Sequence, residues 1–165
     1  VICTDKTGTL TKNQMNVGNF IIYGLKDNEL DDSDVAHLIK EGIAVNSTAF
    51  LDFTDGKKAK SVGNPTEAAL LLWLFKNNVD YIEIRDNVQI VKQQPFSTKY
   101  KYMATVVRTD VDNQNILYVK GAPEIVMKNC RTILTLNGLE SLENNRQDIE
   151  NQLLSFQNQL HLNKH

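Results

Sequence analysis

Asp5 stands where a β-prone run ends and a threonine-rich loop begins, in the opening stretch Val1-Ile2-Cys3-Thr4-Asp5-Lys6-Thr7-Gly8-Thr9-Leu10-Thr11. Val, Ile, Cys and Thr suit a buried strand, and Gly8 permits a turn that residues with a Cβ resist. In open α/β sheets, ligands and reacting groups gather at the carboxyl ends of strands. A carboxylate at that point is a candidate nucleophile or metal ligand. An Asp that only caps the turn satisfies the same local pattern, since Asp is common where strands end. Lys6 and the loop amides after Gly8 can offset negative charge there, or Lys6 is one more solvated lysine.

Several other chemistries are excluded. Neither G-x-x-x-x-G-K-[ST] nor a G-x-G-x-x-G after a strand occurs, so the usual phosphate-cradling loops are absent. Cys3 and Cys130 lie far apart, outside any CxxC or Cys/His cluster. That argues against zinc and a disulfide framework and predicts a reducing setting. A net charge of −2 gives no electrostatic case for nucleic acid or an anionic membrane. The longest apolar run, Ala68 to Phe75, is far short of the roughly 20 residues a spanning helix needs. At 165 residues, 41% of them hydrophobic and 23% charged, the chain is long enough for one domain with a full core and a piece of another. It opens without Met directly on the Asp5 motif, which predicts a piece of a longer protein.

The elements that would position these residues follow from pattern. Phe20 to Tyr23 is a short strand candidate, followed by the acidic connection KDNELDDSD. Ser33 or Asp34 caps a helix in which Val35, Leu38, Ile39, Gly42 and Ile43 recur at helical spacing. LDFTDGKKAKSVG reads as a hairpin-like excursion. In GNPTEAALLLWLFKNN, Asn64 suits the N-cap, Pro65 the first helical position, and Glu67 the acid of a capping arrangement. The apolar wall after Glu67 makes this a buried helix. VDYIEIRDNVQIV fits a short helix or a strand. YKYMATVVRTD and NILYVKG, joined by VDNQ, predict an antiparallel hairpin. A helix with Pro123 in its first turn comes next, then RTILTL, an Asn137-Gly138 turn, and a polar helix from about Glu143 to Leu160. Ile149, Leu153, Phe156 and Leu160 form its one apolar stripe. The sum is an α+β domain with an antiparallel sheet flanked by helices.

The run Asp5-Lys6-Thr7-Gly8-Thr9-Leu10-Thr11 resembles the phosphorylation motif of the P-type ATPases, ion pumps that pass through an aspartyl-phosphate. GNPTEAALL at 63–71, PFSTKYKYMATVV at 95–107 and KGAPE at 120–124 resemble that family's nucleotide-binding domain, in the expected order. The resemblance organises the chain to about Cys130. It implies that residues 1–17 begin an α/β phosphorylation (P) domain, contributing its first strand, and that residues 18–165 form the nucleotide-binding (N) domain.

The resemblance also assigns roles. Asp5 is the phospho-acceptor, with Lys6, Thr7, Gly8 and Thr9 as its phosphate loop. Asp5 and Thr7 contribute to a Mg²⁺ site that later residues of the P domain complete. Phe96 stacks on adenine, Glu67 and Lys101 flank it, and Lys120 with Gly121 lies deeper; each also fits a plainer role, as a core Phe, a capping acid or a solvated lysine. ATP and Mg²⁺ are the implied cofactors. The implied partners are ATP, the rest of the P domain, an actuator domain and transmembrane helices, at the cytoplasmic face of a membrane. Many calcium pumps carry an arginine two residues after the stacking Phe; here Thr98 stands there, leaving that phosphate contact open between Thr98 and Lys99. NQMNV and KGAPE resemble the calcium-pump branch more than heavy-metal pumps, with sodium/potassium and proton pumps sharing much of the pattern.

Two alternatives differ in chemistry. Dehalogenase-type phosphatases place a second Asp two positions after the nucleophile to activate water, and here that position is Thr7. A hydroxyl is no comparable base near neutral pH, so a phosphoenzyme would persist, as a pump requires. A nucleotide-binding module with no catalysis of its own is the other alternative.

Overall fold

The computed structural model describes residues 15–54, 59–108 and 114–162. Asp5, Lys6, Thr7, Gly8 and Thr9, with the strand expected before them, lie outside the described residues. The described part is α+β, with antiparallel sheets flanked by helices.

Helix α1 (Asp34–Val45) starts where Ser33 expects it to, the Ser33 hydroxyl accepting from the Ala36 N–H at 3.3 Å. The hairpin β1 (Phe50–Asp52) and β2 (Lys60–Val62) is antiparallel, as its sequence suggests. Asn64 caps α2 (Pro65–Lys76), its Oδ1 accepting from Thr66 N at 2.9 Å and Glu67 N at 3.3 Å. Ala68, Leu71, Leu72 and Leu74 of α2 join Ala44, Ala49, Leu51 and Tyr81 in one buried cluster.

The ambiguous segment is both of its readings in turn. Asp80 caps α3 (Tyr81–Asn87), Val88 turns extended, and β3 (Gln89–Ser97) follows. With β4 (Tyr102–Arg108) and β5 (Asn115–Gly121) it forms a three-stranded antiparallel meander, where the sequence suggested a hairpin alone. β3 lacks apolar alternation because it is an exposed edge strand, which also tolerates Pro95. In the central strand β4, Met103, Thr105 and Val107 are buried in strict alternation.

The carboxyl end of α1 packs on that face of the sheet. Thr105 donates to Asn46 Oδ1 at 2.9 Å, Gln93 donates to the Val45 carbonyl at 2.9 Å, and Tyr118 donates to Glu41 at 2.8 Å. Gly42 makes the approach possible, since a Cβ there would lie 2.8 Å from the Tyr118 ring. Leu38, expected in the buried stripe, is 41% exposed because it lies a turn before Gly42, beyond these contacts. α4 (Pro123–Asn129) covers the opposite face, where Ile125 and Val126 line a groove of about 410 Å³ with Tyr102, Ala104, Leu117 and Val119.

β6 (Thr132–Thr135) and β7 (Gly138–Ser141) form the hairpin expected around Asn137-Gly138. In α5 (Leu142–Leu162), Ile149, Leu153 and Phe156 are half-buried as the stripe predicts; the side chain of Leu160 lies outside the described ones. Phe20 to Tyr23 is not a strand. Its backbone finds a side chain instead, Ile22 N–H donating to Asn28 Oδ1 at 2.7 Å, and Phe20 packs edge-on to Trp73 at 5.0 Å. Among the described residues no helix is long and apolar enough to cross a membrane.

Candidate functional site

Asn64 and Pro65 fix where α2 begins, and so put Glu67 in its first turn beside the segment after α1. Only 4% of Glu67 is exposed. Its carboxylate does not return to its own N-cap, as a capping box would have it; it reaches across to the 47–49 turn. Glu67 Oε2 accepts from Thr48 N (2.6 Å), Thr48 Oγ1 (3.0 Å), Ala49 N (3.2 Å) and Ser47 Oγ (3.2 Å). These donors are more demanding than the N-cap amide, which would otherwise see water, because Ser47 and Ala49 are buried.

The other oxygen, Oε1, meets Lys120 Nζ at 3.3 Å. Burial works to raise the Glu67 carboxyl, but the Thr48 hydrogen bonds and the Lys120 charge outweigh it and hold the group below the usual carboxylate range. Lys120 moves the other way relative to its partner's pull. Burial draws its ammonium below the ordinary lysine range, Glu67 only partly restores it, and nearby Arg85 adds to the fall. The ion pair thus favours the carboxylate and leaves the ammonium at a net disadvantage.

The strand register carries the site outward from this pair. Lys120 lies opposite Met103 in the β4–β5 ladder. On the other side, Gln94 pairs with Ala104 and Ser97 with Tyr102, so an irregularity leaves Pro95 and Phe96 both opposite Met103. Phe96, Met103 and Lys120 therefore share one row across the sheet, its outer members two strand spacings, about 10 Å, apart. Phe96 is 46% exposed, unusual for a ring that would bury well elsewhere.

Lys101 ends the turn that joins β3 to β4 at this same end of the sheet, with an exposed side chain and a left-handed backbone, φ 63°. Gly121 has an internal reason to lack a side chain. A Cβ there would lie 2.7 Å from Tyr102 Cβ and closer still to the Lys101 carbonyl oxygen, which accepts from Ala122 N at 2.9 Å. Lys99 holds its ammonium 5.0 Å from the Tyr100 ring centroid, and Thr98 lies in the same turn.

Arg85 of α3 belongs to this constellation although no motif marked it. Its Nε donates to the Ala44 carbonyl at 2.7 Å, and Nη2 to those of Ala49 at 3.1 Å and Ser47 at 3.3 Å. Its guanidinium lies 4.9 Å from the Tyr81 ring centroid. The available signal was the Asp80 cap: a helix starting there puts Tyr81 and Arg85 four apart on one face.

A family model described as "P-type ATPase, cytoplasmic domain N" matches residues 34–161, most of the chain. The chain belongs to the P-type ATPase family. It is 36% identical over 166 residues to Calcium-transporting ATPase 2 of Cryptococcus neoformans, covering 79% of this chain and 12% of that protein. It is 35% identical to the plasma membrane-type Calcium-transporting ATPase 9 of Arabidopsis thaliana, covering 88% of this chain and 14% of the relative. With the human Plasma membrane calcium-transporting ATPase 4 it shares 35% identity over 83% of its length and 12% of the relative's. The chain therefore spans about an eighth of the length of the relatives it matches. In this P-type ATPase chain, the row leaves an exposed aromatic face at Phe96 and places the Lys120 ammonium at its other end. The Mg²⁺ assignment rests on Asp5 and Thr7, outside the described residues.

Proposed function

We propose that this chain binds ATP at the end of the meander and serves, within a calcium-transporting P-type ATPase, to deliver the γ-phosphoryl group to Asp5. The observation that carries this reading is the sheet row on which exposed Phe96 and the Glu67-held Lys120 flank Met103. Adenine stacks on Phe96, with Glu67 and Lys101 at its edges and Lys120, before Gly121, deeper in the site. Residues 1–17 open the P domain and residues 18–165 form the N domain, at the cytoplasmic face of a membrane. The actuator domain, the remaining P domain and the membrane helices are supplied by the rest of the protein.

In the transfer, an Asp5 carboxylate oxygen attacks the γ-phosphorus, the bond to the β-bridging oxygen breaks, and ADP leaves with that electron pair. Lys6 and the loop amides after Gly8 offset charge on the phosphoryl oxygens. Thr7 supplies no base for water, so the acyl phosphate persists. Bound Mg²⁺ would supply further charge neutralisation at Asp5 and Thr7.

The test is an NMR titration of the chain with ATP, ADP and AMP. A stacked purine with few charged contacts gives Kd values of about 0.1 to several mM, similar for the three nucleotides. Phe96→Ala should weaken all three by about tenfold. Unchanged affinity in Phe96→Ala, or shifts clustered elsewhere, would overturn the site. In the full-length protein, Asp5→Asn should abolish the hydroxylamine-sensitive phosphoenzyme and leave ATP binding intact.

A further inference from the structure

The turn that follows α1 is gripped from two sides by side chains of opposite charge. Arg85 takes its carbonyls, those of Ala44, Ser47 and Ala49. Glu67 takes its donors, the Thr48 and Ala49 amides and the Ser47 and Thr48 hydroxyls. Ala44 lies in the last turn of α1, where carbonyls without an intrahelical donor carry partial negative charge and favour a cation. Tyr81 supports the guanidinium from beneath and is itself tied down, its hydroxyl accepting from Leu51 N at 2.9 Å.

Glu67 Oε1 is left to Lys120, so the ammonium is positioned by a carboxylate that is positioned by the turn. We propose that Arg85 is a positioning residue of the nucleotide site: by holding the 44–49 turn it fixes Glu67, and through Glu67 it fixes Lys120. The ligand in this proposal rests on the ATP reading above, whereas the chain Arg85–turn–Glu67–Lys120 can be tested without it. A lysine cannot do the same work, because a single ammonium lacks the planar fork that reaches three carbonyls at once.

Arg85→Lys keeps the positive charge and loses the fork, which separates positioning from charge. Lysine side-chain NMR on the 165-residue chain reads the Lys120 titration directly. Loss of positioning withdraws Glu67 from Lys120, and Glu67 is what raises the Lys120 pKa; the midpoint should therefore move down, and the Thr48 and Ala49 amide signals should shift with it. ATP should bind about threefold to tenfold more weakly, and Arg85→Lys made on top of Glu67→Gln should add little further loss. An unmoved Lys120 midpoint, or losses that simply multiply in the double variant, overturns the proposal. If the chain binds no ATP yet Lys120 titrates lower in Arg85→Lys, the positioning stands and the ligand assignment falls. Should Arg85→Lys fail to fold, the unmodified chain decides: its Arg85 Nε–H signal should exchange slowly and shift on ATP addition while that of Arg146 does not, and a silent Arg85 rejects the role.

Discussion

Glu67 is 4% exposed and receives four hydrogen bonds through one oxygen, whereas Phe96, at the outer end of the same site, leaves 46% of its surface to solvent. The inner part is a set of charges fixed before any ligand arrives, with Lys120 held there against the cost of its own burial. The outer part gives up apolar burial to keep a ring face open. Such a division separates two kinds of loss. On the proposed ATP reading, damage to the inner part should disturb folding and binding together, and damage to the outer part binding alone.

The largest effect should come from Glu67→Ala. It strands the buried Ala49 amide and the part-buried Thr48 amide and leaves Lys120 without its partner, a loss of about 3 kcal/mol in unfolding free energy. Urea denaturation checks it, and a loss below about 1 kcal/mol would mean the turn is held by other contacts. Phe96→Ala sets the contrast. Its stability should fall by about 0.5 kcal/mol or less while its tenfold weaker ATP binding corresponds to about 1.4 kcal/mol. A Phe96→Ala chain as destabilised as Glu67→Ala would erase the distinction between the two parts.

These opposite roles were unequally legible in the sequence. Asn64 and Pro65 announced the start of α2, Ser33 that of α1, and the β-prone runs YKYMATVVRTD and NILYVKG the strands β4 and β5, because each signal is local. The partners of Glu67 were not legible. Its spacing from Asn64 suited a capping box, and only the fold brings Ser47 to Ala49, some twenty residues earlier, against it. Arg85 stood in a segment that fitted helix or strand, so the face it would share with Tyr81 was undefined. β3 was hidden for a related reason: an edge strand is defined by its neighbour, and QIVKQQPFS has no alternation of its own. Phe20 to Tyr23 erred the other way, strand-like in composition but bonded through Asn28.

A pH series sharpens the account of the inner part. The folded-state pKa of Glu67 lies below its unfolded value, so its contribution is fully present above the unfolded value of about 4.3 and is lost as pH falls through the folded pKa. Lys120 has the opposite consequence. Its folded pKa also lies below the unfolded value, so the protonated form disfavours folding, and that penalty disappears as pH rises from the folded pKa towards about 10.4. Urea midpoints between pH 6 and pH 3 should therefore fall less steeply in Glu67→Gln than in the unmodified chain. Parallel curves would remove Glu67 from the acid response.

The smallest effect concerns Lys101, where backbone and side chain pull in different directions. A φ of 63° puts a lysine in the left-handed region, which costs a residue with a Cβ about 1 kcal/mol. Lys101→Gly relieves that strain but loosens the unfolded chain by a comparable amount, leaving a net gain of about 0.5 kcal/mol at most. The same change removes a solvent-exposed charge at the rim of the site, worth little after screening, so ATP should weaken by only about twofold to threefold. Lys101→Asn tolerates the left-handed backbone and also lacks the charge, so it should match Lys101→Gly in affinity without the full gain in stability. A tenfold loss in both variants would move Lys101 from the rim into the fixed inner part. A loss in Lys101→Gly that Lys101→Asn does not share would instead assign the turn's backbone, not the ammonium, to the site.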